Sequence, residues 1–168
     1  RILGRNQQFL FNRGMQQQMN VNETGSFISD NDPIDILFYC NLITAYLYNT
    51  NRINDEGRSA VQGALMELLL NAVEHGNCKI SYDEKTAWLA AGKNMLDLIA
   101  EKSKESEAAK NKVYISYEIA NLRTRISVRD DGEGFDWKSR LSGELTAGLH
   151  GMGIKLAESF VSKVSYND

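Results

Sequence analysis

Apolar and polar positions divide the chain into stretches of two different periods. Val21 to Ile28 reads as a strand, closed by the polar turn Ser29-Asp30-Asn31-Asp32. Asp32 before Pro33 is a helix start, and Ile36, Cys40, Ile43 and Leu47 then recur at helical spacing to about Asn49. Asn54 can cap a second helix, whose first turn carries Asp55 and Glu56, the charge that suits a helix N-terminus. Its apolar stripe is Val61, Leu65, Leu68 and Ala72, and it is expected to run to about His75. Ser81 and Glu84 form a capping box for a third helix, with Trp88, Ala91, Met95 and Ile99 as its buried face. From Glu101 to Lys110 the charges mix as at a solvated helix end.

The period then changes. Val113, Ile115, Tyr117 and Ile119 alternate with polar residues, and after a turn near Asn121 so do Ile126 and Val128, which predicts a hairpin. A glycine-rich loop from Asp130 to Gly153 leads to a short helix, Ile154 to about Phe160, and a last strand from Val161 to Tyr166. Ahead of all this, residues 1–19 are Gln-rich, with Phe11, Met15 and Met19 spaced by four, and read as an N-terminal helical linker. Residues 20–168 make one α+β domain.

Composition narrows the function classes. Lys plus Arg is 19 against 22 Asp plus Glu, a net charge of −3, which is a poor field for nucleic acid. An anionic small ligand must then be held by local donors. No apolar run approaches the roughly 20 residues of a membrane span, and Gln and Asn interrupt the N-terminal segment too often for a signal peptide. Two cysteines, Cys40 and Cys78, fit a reducing compartment and no disulfide framework, so a cytoplasmic location is expected. Arg1 opens the chain, as in a piece of something longer.

Three clusters carry chemistry. On the second helix Glu67 and Asn71 are four apart and share a face. Asn is a poor helix former, yet Asn71 stands between Leu70 and Ala72. An amide oxygen there suits a hard cation and the carboxylate can orient or deprotonate a nucleophile; the plainer alternative is a capped, solvent-edge Asn beside a surface Glu. The second cluster, Asp130-Asp131-Gly132-Glu133-Gly134-Phe135, stands at a strand end. Alternation with Ile126 and Val128 turns Asp130 inward and Asp131 outward. A buried, unpaired carboxylate is costly, and a ligand N–H would relieve it. A plain Asp-Gly turn is the alternative, whereas a Ca²⁺ loop fails on spacing. The third, Gly148-Leu149-His150-Gly151-Met152-Gly153, precedes a helix whose free N–H groups can hold an anion, with Lys155 nearby. Flexible loops are also glycine-rich. No G-x-x-x-x-G-K-[ST] occurs, since Gly92-Lys93 is followed by Asn94.

Taken in order, Glu67-x-x-x-Asn71, Asp130-x-Gly132-x-Gly134 and Gly151-x-Gly153 resemble the N, G1 and G2 boxes of the GHKL ATPase superfamily. Asn71-Ala72-Val73-Glu74-His75-Gly76 and Gly134-Phe135-Asp136-Trp137 look like the RsbW-type anti-sigma-factor serine kinases. The stretch from Gly76 to Lys85 is similar to a sub-branch with an added helix, here at about 81–110. The resemblance implies a Bergerat fold, a two-layer α/β sandwich with a mixed, mainly antiparallel sheet and helices on one face. It implies ATP and Mg²⁺ as cofactors, with Glu67 as catalytic base and Asn71 as the metal ligand. Asp130 would accept the adenine amino group, with Gly132 and Gly134 admitting the base. His75, His150, Gly151, Met152 and Gly153 would complete the nucleotide contacts, and residues 136–150 would form the lid, with Arg140 in it.

The function implied is transfer of the ATP γ-phosphate to a serine of a STAS-type antagonist, within bacterial partner-switching signalling. A fused upstream signalling domain is expected, and a homodimer is compatible with the resemblance. One alternative is a non-catalytic module that grips a sigma factor or regulator according to nucleotide state. Another is the catalytic domain of a histidine kinase, though His75 falls in the N box and His150 in the lid, so neither is an acceptor histidine.

Overall fold

The computed structural model describes residues 22–120, 123–134, 159 and 161–166. Within them an antiparallel sheet of order β1-β2-β3 is built from β1 (Glu23–Ser29), β2 (Val113–Ala120) and β3 (Arg123–Asp130). The register sets Phe27 opposite Ile115, Ile115 opposite Val128, and Ala120 opposite Arg123 at the hairpin end. Alternation sorts these strands onto two faces. Val113, Ile115 and Ile119 are buried under the helices, whereas Ser116, Glu118, Arg125 and Ser127 are exposed on the other face. The result is an α+β sandwich of two layers.

Helix α1 (Pro33–Asn49) starts at the predicted cap, where Asp32 Oδ1 accepts the Ile34 N–H at 2.8 Å. Ile36, Cys40, Ile43 and Leu47 form its inner face, none more than 2% exposed. Burial of each Ile or Leu contributes about 1.5–3 kcal/mol, so packing outweighs the roughly 1 kcal/mol of the cap. Helix α2 (Asp55–Asn71) is capped by Asn54, whose Oδ1 accepts the Gly57 N–H at 2.8 Å. Its buried residues are Ala64, Leu65 and Leu69. Of the expected stripe Leu65 and Ala72 are buried and Val61 packs on the core, but at the third position Leu69 is fully buried where Leu68 is only half-buried. Packing of α2 against α1 as well as the sheet draws Leu69 into the core.

Beyond Asn71 the helix does not continue as α. Ala72–Asn77 is a π-helix, with the Cys78 N–H bonded five residues back to Val73 O at 2.8 Å. Such single wide turns concentrate at functional sites.

The single helix expected from Ser81 is two. Ser81 caps α3 (Tyr82–Ala90) and Asn94 caps α4 (Met95–Lys102), through Oγ to the Glu84 N–H at 3.2 Å and Oδ1 to the Leu96 N–H at 2.9 Å. Between them Gly92 takes a φ of +71°. The Trp88 indole N–H donates to Asn94 O at 2.8 Å, which folds the pair into a hairpin. Ala91 is therefore exposed, and of the expected face only Ile99 is fully buried, beside Leu98. The charged run ends in turns and a 3-10 turn, Ala108–Lys110, which buries Ala108. Residues 161–166 are irregular and pair with none of the three strands, which overturns the last strand expected there, since ladder bonds define a strand. The linker expected over 1–19 lies outside the described residues. Among them, no helix is long and apolar enough to cross a membrane.

Candidate functional site

Glu67 and Asn71 lie one turn apart on α2, on the side turned away from Leu65 and Leu69. Both are half-buried, and among the described residues neither side chain has a hydrogen-bond partner. Asn71 makes no side-chain cap hydrogen bond. An open amide oxygen and an open carboxylate are hard donors. No cluster of His, Cys, Asp and Glu among the described residues could hold a metal by itself. That combination fits Mg²⁺, which binds through one or two protein oxygens and takes the rest from water and phosphate.

The π-helix brings the second cluster to the same end of α2. Gly76 has no Cβ, and Asp130 occupies the space: a Cβ there would stand 2.5 Å from Asp130 Cγ. Gly132 makes the reciprocal approach, since its Cβ would stand 2.5 Å from the Gly76 carbonyl oxygen. Asp130 is half-buried on the inner face of the sheet, as alternation predicts. It is not unpaired, however: Oδ1 accepts the Gly132 N–H at 2.9 Å, and only Oδ2 lacks a partner among the described residues. Asp131 is exposed, and its Oδ2 accepts the Lys112 N–H at 3.0 Å and the Tyr114 hydroxyl at 3.3 Å. Gly134 has a φ of +77°, the left-handed region that glycine tolerates.

Two motifs far apart in sequence thus interlock through the close approach of Gly76 to the Asp130 side chain and of Gly132 to the Gly76 backbone, over a sandwich of the expected class. The family profile of the histidine kinase-like ATPase domain matches residues 39–168. The chain belongs to this family. Among curated proteins, none matches it. The histidine kinase-like ATPase domain is an ATP-binding unit of the kinase-like ATPase class, and the two interlocked clusters are part of that unit.

Other nominated residues stand apart or out of view. His75 is exposed, and its Nδ1 lies 3.0 Å from Ile80 O, in the chain that follows the π-helix. His150, Gly151, Met152 and Gly153, with Arg140, Lys155 and the lid expected over 136–150, lie outside the described residues. Cys40 and Cys78 are buried free thiols, and burial pushes each up to about 11, so neither is a nucleophile at neutral pH.

Sequence reasoning missed several residues that fix the surroundings of the two clusters. Glu74 is 3% exposed and forms an ion pair with Lys85 of α3. Asn77 is 2% exposed and accepts the Asp131 N–H. Lys79 Nζ bridges Glu133 at 2.9 Å and Glu107 at 3.4 Å, joining the glycine loop to the end of the inserted hairpin. Its hydrogen bond to Glu133 raises Lys79 and holds the Glu133 carboxyl below its ordinary value. That bridge is exposed and adds little stability.

Proposed function

We propose that this chain is an ATP-dependent serine/threonine protein kinase of the anti-sigma-factor type, acting on a STAS-type antagonist with Mg²⁺ as the metal. The contact of Gly76 with Asp130 carries this reading. It couples the helix end bearing Glu67 and Asn71 to the strand end bearing Asp130, so that groups suited to phosphates and groups suited to a purine meet at one end of α2. Asn71 would hold the metal, which when bound neutralises charge on the ATP phosphates.

Asp130 accepts the adenine amino group through Oδ2, while Gly132 keeps the backbone low enough for the base to enter. Glu67 takes the hydroxyl proton of the partner's serine. The serine oxygen bonds to the γ-phosphorus, the bond from that phosphorus to the β–γ bridging oxygen breaks, and ADP leaves with the electron pair. The local pattern Asn71 to Gly76 followed by Gly134-Phe135-Asp136-Trp137 supports a serine acceptor.

Incubation with γ-labelled ATP, Mg²⁺ and a STAS-type partner is expected to yield phosphoserine on the partner and ADP in equal amount. ATP binding without phosphoserine at saturating Mg-ATP would overturn the kinase in favour of a nucleotide-dependent grip on the partner. Phosphohistidine on the chain would overturn the serine acceptor.

A further inference from the structure

Asn77 ends the π-helix, fully buried, and both sides of its amide are used. Oδ1 accepts the Asp131 N–H at 2.9 Å, and Nδ2 donates to Asn31 Oδ1 at 2.7 Å. Asn31 is buried as well and donates to the carbonyls of Ala108 and Asn111 at 2.8 and 3.0 Å. Asn111 Nδ2 donates back to Asn77 O at 3.4 Å. A chain of buried amides therefore runs from the turn after β1, through the π-helix, to the end of β3.

Asp131 is exposed as a residue, yet its N–H is held by the amide of buried Asn77. What the bond does is hold one peptide plane. The N–H that Asn77 grips belongs to the peptide joining Asp130 to Asp131, so gripping it fixes the backbone rotation of Asp130 itself. The Gly132 N–H then fixes the Asp130 carboxylate through Oδ1. Between the two bonds Asp130 retains one open oxygen, Oδ2, in a single orientation. Buried networks of this kind rigidify when every member is satisfied.

We infer that Asn77 is a positioning residue for base recognition: by holding the Asp130–Asp131 peptide it keeps the open carboxylate oxygen of Asp130 directed at the exocyclic amino group of adenine. The selectivity of the site for adenine over guanine nucleotides depends on it. This rests on the reading of Asp130 as the adenine acceptor.

The test is a double-mutant cycle read by calorimetric titration with Mg-ATP and Mg-GTP, on the wild-type chain, Asn77→Ala, Asp130→Asn and the double variant. Asn77→Ala is expected to weaken ATP about tenfold, as for one lost hydrogen bond in a buried network, and to change GTP by less than about threefold. In the Asp130→Asn background the same change should cost ATP less than about threefold. A merely structural role would weaken both nucleotides alike and add its full effect to Asp130→Asn, and either result overturns the inference. An unchanged ATP-to-GTP preference in Asp130→Asn alone would overturn the adenine-acceptor reading and the inference with it. If Asn77→Ala does not fold, Asn77→Ser takes its place in the cycle. Independently, amide exchange on the wild-type chain should show the Asp131 N–H protected about a hundredfold or more; exchange at the free-peptide rate would mean that Asn77 holds nothing.

Discussion

Gly76 and Asp130 touch because one of them has no side chain: a Cβ on Gly76 would stand 2.5 Å from both Cγ and Oδ1 of Asp130. Real Cβ atoms do not come that near, so a methyl group there must displace the carboxylate or the strand end that carries it. Overpacking of this sort costs about 1–3 kcal/mol. Gly76→Ala is therefore expected to weaken Mg-ATP about tenfold or more while far-ultraviolet dichroism keeps its helical signal. Wild-type affinity in a calorimetric titration would show that the contact constrains nothing.

Asn71 gives the most direct test of the metal assignment. Its amide caps nothing and is half-buried, so removing it leaves no donor unsatisfied among the described residues. Asn71→Ala is expected to change the melting temperature by only a few degrees, since Ala is the better helix former. The Mg²⁺-dependent part of ATP affinity should disappear in the same variant, measured by titration with and without the ion.

The pair of buried Glu74 and half-buried Lys85 should behave asymmetrically. Lys85→Met leaves the Glu74 carboxylate buried without its cation, at a cost of about 3–5 kcal/mol. Glu74→Gln in the Lys85→Met background should restore much of that loss, because the uncompensated charge has gone. Urea unfolding of the single and double variants measures the difference, and equal stability of the two would refute the argument.

Alkaline pH should loosen the fold in stages. Burial raises Cys40 and Cys78 from 9.0 to about 11, and burial with Glu23 beside it raises Tyr46 from 10.0 to about 12. In each case the folded chain keeps its proton to higher pH than the unfolded chain does. The contribution is thus complete below the unfolded value and fades as pH climbs through the folded one. Stability is expected to be level below about pH 9 and to fall from there to about pH 12, with Tyr46→Phe reducing the upper part of the fall, which it shares with Tyr117 on the same Glu23 carboxylate. Denaturant titrations at steps of half a pH unit check this.

Much of this was readable from residue order. The inner face of α1 followed from spacing alone, because one helix against one sheet leaves a single apolar stripe. Alternation assigned Asp130 and Asp131 to opposite faces of β3, since a strand has only two. Other features depended on contacts that no local pattern encodes. Leu69 displaced Leu68 because α2 answers to two neighbours at once. The break at Gly92 was hidden by Trp88, Ala91, Met95 and Ile99, whose spacing suits one helix, although Gly92 followed by a capping Asn94 was present to be read. The π-helix left no periodic signature, and neither did Asn77, whose partners Asn31 and Asp131 are brought to it only by the folded chain.

The hairpin α3–α4 departs from and returns to nearly the same spot, for Asn111, 34 positions after Asn77, donates to that residue's carbonyl oxygen. An excursion whose two feet stand together places no demand on the span between the π-helix and β2. The length of its tip, between α3 and α4, is therefore free to vary at small entropic cost, each doubling adding only about 0.6 kcal/mol, provided that Lys85 still meets Glu74 and that Leu98 and Ile99 keep their places in the core. The tip around Gly92 is accordingly the place where a reporter peptide or a foreign hairpin can be grafted without disturbing the strand ends beneath.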